Sequence, residues 1–154
     1  MSEIYITSDL HLNHVNIPEL CPGRPGSTLE EMNEILVQNI LDTVKPEDTL
    51  YILGDVVMGR RVESLELLRP IREHLDASGT LGLVSGNHDY CHPVAKKNWN
   101  EWETTYRTIF HEVCREASWV VSDNPTVVIR SCHFPTKADH TEEERHNKEE
   151  IDRY

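Results

Sequence analysis

The chain has no long apolar run, no Cys-x-x-Cys pair, no internal repeat and no excess of positive charge. Each absence excludes something. The uninterrupted apolar stretches are a few residues long, far short of the roughly 20 that cross a bilayer, so no membrane partner is expected. The start, Met-Ser-Glu-Ile-Tyr, lacks the basic residues and apolar core of a secretory signal, and no lipidation motif ends the chain. A cytoplasmic protein is the expectation. Its four cysteines, Cys21, Cys91, Cys114 and Cys132, then read as reduced thiols. Lys plus Arg is 15 against 27 Asp plus Glu, a net charge of −12. Duplex nucleic acid is therefore not an expected partner, because neutralising its phosphates needs clustered Lys and Arg.

What is present fits one domain. At 154 residues the chain lies inside the usual range of roughly 100–200 per domain and is long enough to bury a core. Nine histidines is a high count, and histidine is the commonest metal ligand. Ile4 to Thr7 reads as a strand ending at Ser8-Asp9. Residues 18–27, rich in proline and glycine, read as a loop. Ser27-x-x-Glu30 and Thr28-x-x-Glu31 both fit a capping box, and Leu29, Met32, Ile35, Leu36, Ile40, Leu41 and Val44 follow at helical spacing. A strand over Thr49 to Leu53 runs into Gly54-Asp55. Val62 to Leu75 has helical spacing that Pro70 must kink, break or restart. Leu81 to Val84 is a third strand, followed by Ser85-Gly86-Asn87-His88-Asp89. Trp99, Trp102, Tyr106, Ile109, Phe110 and Val113 form a helical, core-facing stripe. Trp119 to Ser122 and Thr126 to Ser131 flank Asp123-Asn124-Pro125 as a hairpin that runs into Cys132-His133.

One pattern links these elements. Asp9-Leu10-His11, Gly54-Asp55, Gly86-Asn87-His88-Asp89 and His133 each follow a strand, and strand ends along one sheet edge converge. Taken singly, Asp-x-His and Gly-Asp are common by chance; Gly-Asn-His-Asp is far more specific. Together they offer mixed oxygen and nitrogen donors, a set suited to Mn, Fe or Zn rather than to Ca or Mg alone. Asp55, with two oxygens, is able to bridge two ions.

In this arrangement the sequence resembles the calcineurin-like metallophosphoesterases, whose blocks are Asp-x-His, Gly-Asp, Gly-Asn-His-Asp/Glu, a lone His and Gly-His-x-His. The first four stand here as Asp9-Leu10-His11, Gly54-Asp55, Gly86-Asn87-His88-Asp89 and His133. Ser8-Asp9-Leu10-His11-Leu12-Asn13-His14, Arg24-Pro25, Glu31-Met32-Asn33 and Asp48-Thr49 resemble a small bacterial and phage branch, so a host cytoplasm is implied if the gene is a phage's. The resemblance implies an α/β fold, an αββα sandwich of two central mixed β-sheets flanked by helices, with its C-terminal part shortened. Residues 1–135 would form this domain and 136–154 a polar C-terminal segment of it.

By the same resemblance, two divalent ions are implied, manganese first, with iron, zinc or nickel as alternatives. Asp9 and His11 would hold one, Asn87 and His133 the other, and Asp55 would bridge. A hydroxide bridging the ions would attack a phosphodiester or phosphomonoester, with small nucleotides as plausible substrates. His88 would protonate the leaving group or stabilise phosphoryl charge, and Asp89 would orient His88 or else serve as a turn residue. Arg24 and His14 are candidates for binding substrate phosphate. The Gly-His-x-His block is absent, which takes one ligand from each metal; His140, His146 or a second chain are candidate replacements. That absence also leaves an exposed sheet edge, a candidate surface for a homo-oligomer. It equally suits a catalytically impaired scaffold or binding module, or a fragment of a longer enzyme.

Overall fold

Short apolar strands alternate with amphipathic helices along the chain, the pattern that closes into a parallel sheet. The computed structural model describes residues 2–134, apart from 59, 60, 76, 77 and 124. β1 (Ile4–Thr7), β2 (Thr49–Ile52), β3 (Thr80–Val84) and β4 (Glu112–Cys114) pair in that order, every pair parallel. Helices carry the chain back between them, as parallel pairing demands. α1 (Ile17–Leu20) and α2 (Leu29–Thr43) follow β1. After β2 come α3 (Arg61–Leu65), a 3-10 turn (Glu66–Leu68) and α4 (Arg69–Leu75), and α5 (Trp99–Tyr106) follows β3. β5 (Glu116–Asp123) and β6 (Thr126–Cys132) form a separate antiparallel hairpin. The class is α/β as expected. Among the described strands, however, the first sheet is wholly parallel rather than mixed, and the second is a two-stranded hairpin.

Local chemistry explains the elements. Thr28 caps α2: its side chain accepts from the Glu31 N–H, while Glu31 receives the Ser27 N–H. Pro70 stands in the first turn of α4, where its missing N–H is harmless, so the restart holds. Two expectations are corrected. The loop over 18–27 begins with α1, which Pro18 opens. The stripe from Trp99 is helical only to Tyr106; Ile109 and Phe110 stay buried beyond the helix, and Val113 lies in β4.

One face of the sheet, with Leu50, Ile52, Leu81 and Leu83, joins Leu65, Leu68, Ile71 and Leu75 in a continuous core, with Leu36 and Ile40 of α2 packed against it. Each fully buried side chain of this size contributes about 1.5–3 kcal/mol. On the other face the Tyr51 ring meets Trp119 of β5 edge-on at 4.9 Å, which seats the hairpin. Ile4, Ile6, Val120, Val121, Val127, Val128 and Ile129 are exposed. Asp48, wholly buried, receives the N–H groups of Glu3 and Lys45 and ties the start of β1 to the turn before β2. No helix among the described residues is long and apolar enough to cross a membrane. The expected polar segment 136–154, with His140 and His146, lies outside the described residues.

Candidate metal centre

Parallel strands end on one edge, so the residues just past β1, β2 and β3 come together, the usual place for a ligand in such sheets. Past β1 the chain stays beside the chain past β2. The N–H groups of Asp9, His11 and Leu12 donate to the carbonyls of Gly54, Asp55 and Val56 at 3.2, 2.9 and 2.9 Å. Asp9, His11 and Asn13 alternate at φ of +54°, +48° and +62°, and Asp55 lies at +52°. Asp, Asn and His tolerate this left-handed region better than most residues, yet it persists only where surroundings enforce it.

The side chains converge. One donor atom each from Asp9, His11 and Asp55 lie within 4.8 Å of one another. His11 Nε2 stands 3.7 Å from Asp9 Oδ1 and 3.8 Å from Asp55 Oδ2, beyond hydrogen-bond reach. Its Nδ1 is buried without a partner. Burial holds the His11 pKa below the usual imidazole range, which favours the neutral ring that is able to ligate a cation. Across Asp55, Oδ1 accepts the His88 backbone N–H at 2.9 Å and lies 3.6 Å from His133 Nε2. The carbonyl of Leu53, 2.8 Å from His133 Nδ1, takes the ring's proton there. Nε2, the other ring nitrogen, stands 2.9 Å from Asn87 Oδ1. A cation satisfies these donors, so the residues fit a divalent metal.

Two glycines allow the approach. Gly54 lies at φ +82°, and a Cβ there would collide with the His133 ring. A Cβ on Gly86 would strike Asp55 Oδ1.

His88 stands at the rim, its side chain 46% exposed, with its ring centroid 5.8 Å from that of His11. The His14 ring meets His11 edge-on at 5.6 Å. For Asp89 the geometry favours the turn role, and Arg24 has backbone partners that the sequence did not show. Asp89 does not orient His88: its carboxylate accepts the backbone N–H groups of Asp55, Val56 and Gly86. Burial pushes its pKa up to about 6 against those three hydrogen bonds. Arg24 donates to the carbonyls of Asp9 and Leu10, both at 2.5 Å, and so is engaged with the chain itself. Sequence reasoning missed Asn13, Asn33 and Ser64. Asn33 Oδ1 accepts the Asn13 N–H at 3.1 Å, and the Asn13 amide donates to Ser64 Oγ at 2.8 Å. A buried Asn on the inner face of α2 was the available signal. All four cysteines are free, and burial pushes the Cys91 and Cys114 thiols up, away from the thiolate that zinc prefers.

The parallel sheet thus gathers Asp, His and Asn donors at its strand ends, the arrangement of a metal-binding α/β protein. Over residues 2–149 the chain matches the calcineurin-like phosphoesterase model, and it belongs to that family. It is 38% identical over 94 residues to the uncharacterized protein MJ1445 of Methanocaldococcus jannaschii, covering 58% of this chain and 48% of that one. It is 31% identical over 153 residues to the Gene 66 protein of Mycobacterium phage L5, covering 96% and 70%. The crystal structure of a protein of unknown function, AQ665 from Aquifex aeolicus, superposes with a TM-score of 0.66 at 28% identity, covering 90% of this chain and 64% of that one. The chain thus spans about half the length of the Methanocaldococcus protein and under two thirds of the Aquifex one.

Proposed function

We propose that the chain is a dinuclear metal-dependent phosphoesterase acting on phosphodiester or phosphomonoester bonds of small substrates, nucleotides among them. The observation that carries this reading is the placement of Asp55. Its Oδ2 faces His11, which also faces Asp9, and its Oδ1 faces His133, which also faces Asn87. One buried carboxylate therefore stands between two donor sets. Divalent ions held there, manganese first, supply Lewis acidity, acidified water and neutralisation of phosphoryl charge.

The chain's own residues do the rest. Asp9 and His11 hold one side, Asn87 and His133 the other, and Asp55 serves both. The Leu53 carbonyl fixes the tautomer that leaves His133 Nε2 free to ligate. His88, backbone-anchored to Asp55 and half exposed, reaches solvent from the rim and donates a proton to the leaving oxygen. The net charge of −12 favours short substrates over long nucleic acids. Relatives in mycobacteriophages support action in a host cytoplasm.

The test is turnover of a chromogenic phosphodiester and a phosphomonoester by purified protein with added Mn²⁺. We expect chelator-sensitive activity that falls about 10²–10⁴-fold in His88→Ala, with bound metal unchanged. Absence of turnover on both substrates with metal bound, or an unaffected His88→Ala, would contradict the reading.

A further inference from the structure

We propose that Arg24 is a positioning residue: its guanidinium holds the left-handed backbone that aims Asp9 and His11 at a common point. The inference rests on the metal-dependent reading of the site. The two carbonyls that Arg24 grips belong to the peptide groups on either side of Leu10. These groups join Asp9 to Leu10 and Leu10 to His11. One planar fork therefore sets both peptide planes between the two donors. Asp9 and His11 are themselves the residues at positive φ.

The other edge of the segment is already held. The N–H groups of Asp9, His11 and Leu12 bond to the chain past β2. Those bonds fix the N–H side, and Arg24 fixes carbonyls of the same stretch. Without the fork, the carbonyls of Asp9 and Leu10 lose a charged donor each, and the strained residues are free to relax. The loop that carries Arg24 is stiff. Pro22 and Pro25 fix φ at their own positions, and Pro25 also biases Arg24 toward extended backbone. The Arg24 N–H closes a turn onto the Cys21 carbonyl at 3.0 Å. A lysine in its place supplies charge without the fork, so charge alone does not reproduce the effect.

The experiment compares full-length wild type, Arg24→Ala and Arg24→Lys in three measurements. Calorimetric titration with Mn²⁺ alone is expected to show one of two binding events weakened about 10–100-fold in both variants, the other unchanged. Free guanidinium ion is expected to restore the weakened event in Arg24→Ala. Hydrogen exchange of the metal-free proteins is expected to quicken at residues 9–12 and to stay unchanged in β3. At saturating Mn²⁺, KM is expected to stay at the wild-type value. Unchanged Mn²⁺ affinity with a raised KM would overturn the proposal and make Arg24 a substrate contact. Unchanged exchange at 9–12 would overturn it as well. If wild type takes up no Mn²⁺, the metal reading fails, and the exchange measurement alone decides whether Arg24 holds the segment. Should Arg24→Ala fail to fold, Arg24→Lys carries the comparison.

Discussion

The carboxylate of Asp89 holds the backbone N–H of Asp55 at 2.8 Å, so one fully buried acid fixes the position of another. The same carboxylate takes the N–H groups of Gly86 at 2.8 Å and Val56 at 3.1 Å. It thereby locks the turn past β2 to the turn past β3. Asp55 stands between the two donor sets because Asp89 stands behind it.

Asp89→Asn tests that lock. The amide keeps one acceptor but turns an N–H₂ toward backbone donors, which is expected to cost about 1–3 kcal/mol at neutral pH. The pH dependence has a definite sign. Burial pushes the Asp89 pKa from 3.8 up to about 6, so the folded chain keeps a proton that the unfolded chain has already lost. Stability from this group therefore falls as pH rises from about 4 to about 6, by on the order of 3 kcal/mol in all, and is level above that. Urea midpoints of metal-free wild type across this window should show the slope, and Asp89→Asn should lack it.

Asp55→Asn tests the shared carboxylate. The substitution removes the negative charge that faces His11 on one side and His133 on the other. Uptake at both sites is expected to weaken by more than about 100-fold, beyond what loss of a supporting contact produces. Elemental analysis after dialysis against Mn²⁺ checks this. Retention of one full equivalent would assign Asp55 to a single ion.

Gly86→Ala and Gly54→Ala test the close approach. At Gly86 the new methyl meets Asp55 and His133, an overpacking expected to cost about 1–3 kcal/mol. At Gly54 the same crowding adds to a φ of +82°, which raises the penalty by about 1–2 kcal/mol for any residue with a Cβ. Thermal unfolding should therefore rank wild type above Gly86→Ala and Gly86→Ala above Gly54→Ala. Wild-type stability in either variant would contradict the packing described.

Much of the candidate site was legible because each donor follows a strand by one to four residues. Asp9 after Ile4–Thr7, Asp55 after Thr49–Ile52, and Asn87 after Thr80–Val84 needed only parallel pairing to meet. The partners of Asp89 and Arg24 were not legible, because they are backbone N–H and C=O groups, which leave no mark on residue type. β4 was hidden for another reason. Val113 continues the helical spacing of Trp99, Trp102, Tyr106, Ile109 and Phe110, and three residues are too few to show a strand's own period. The left-handed run at Asp9, His11 and Asn13 was equally silent, since Asp, His and Asn are also ordinary loop residues.

Anomalous diffraction from crystals grown with Mn²⁺ bears most directly on the dinuclear reading. We expect two peaks flanking Asp55, one against Asp9 and His11, the other against Asn87 and His133. A single peak, or none within this cluster, would contradict it.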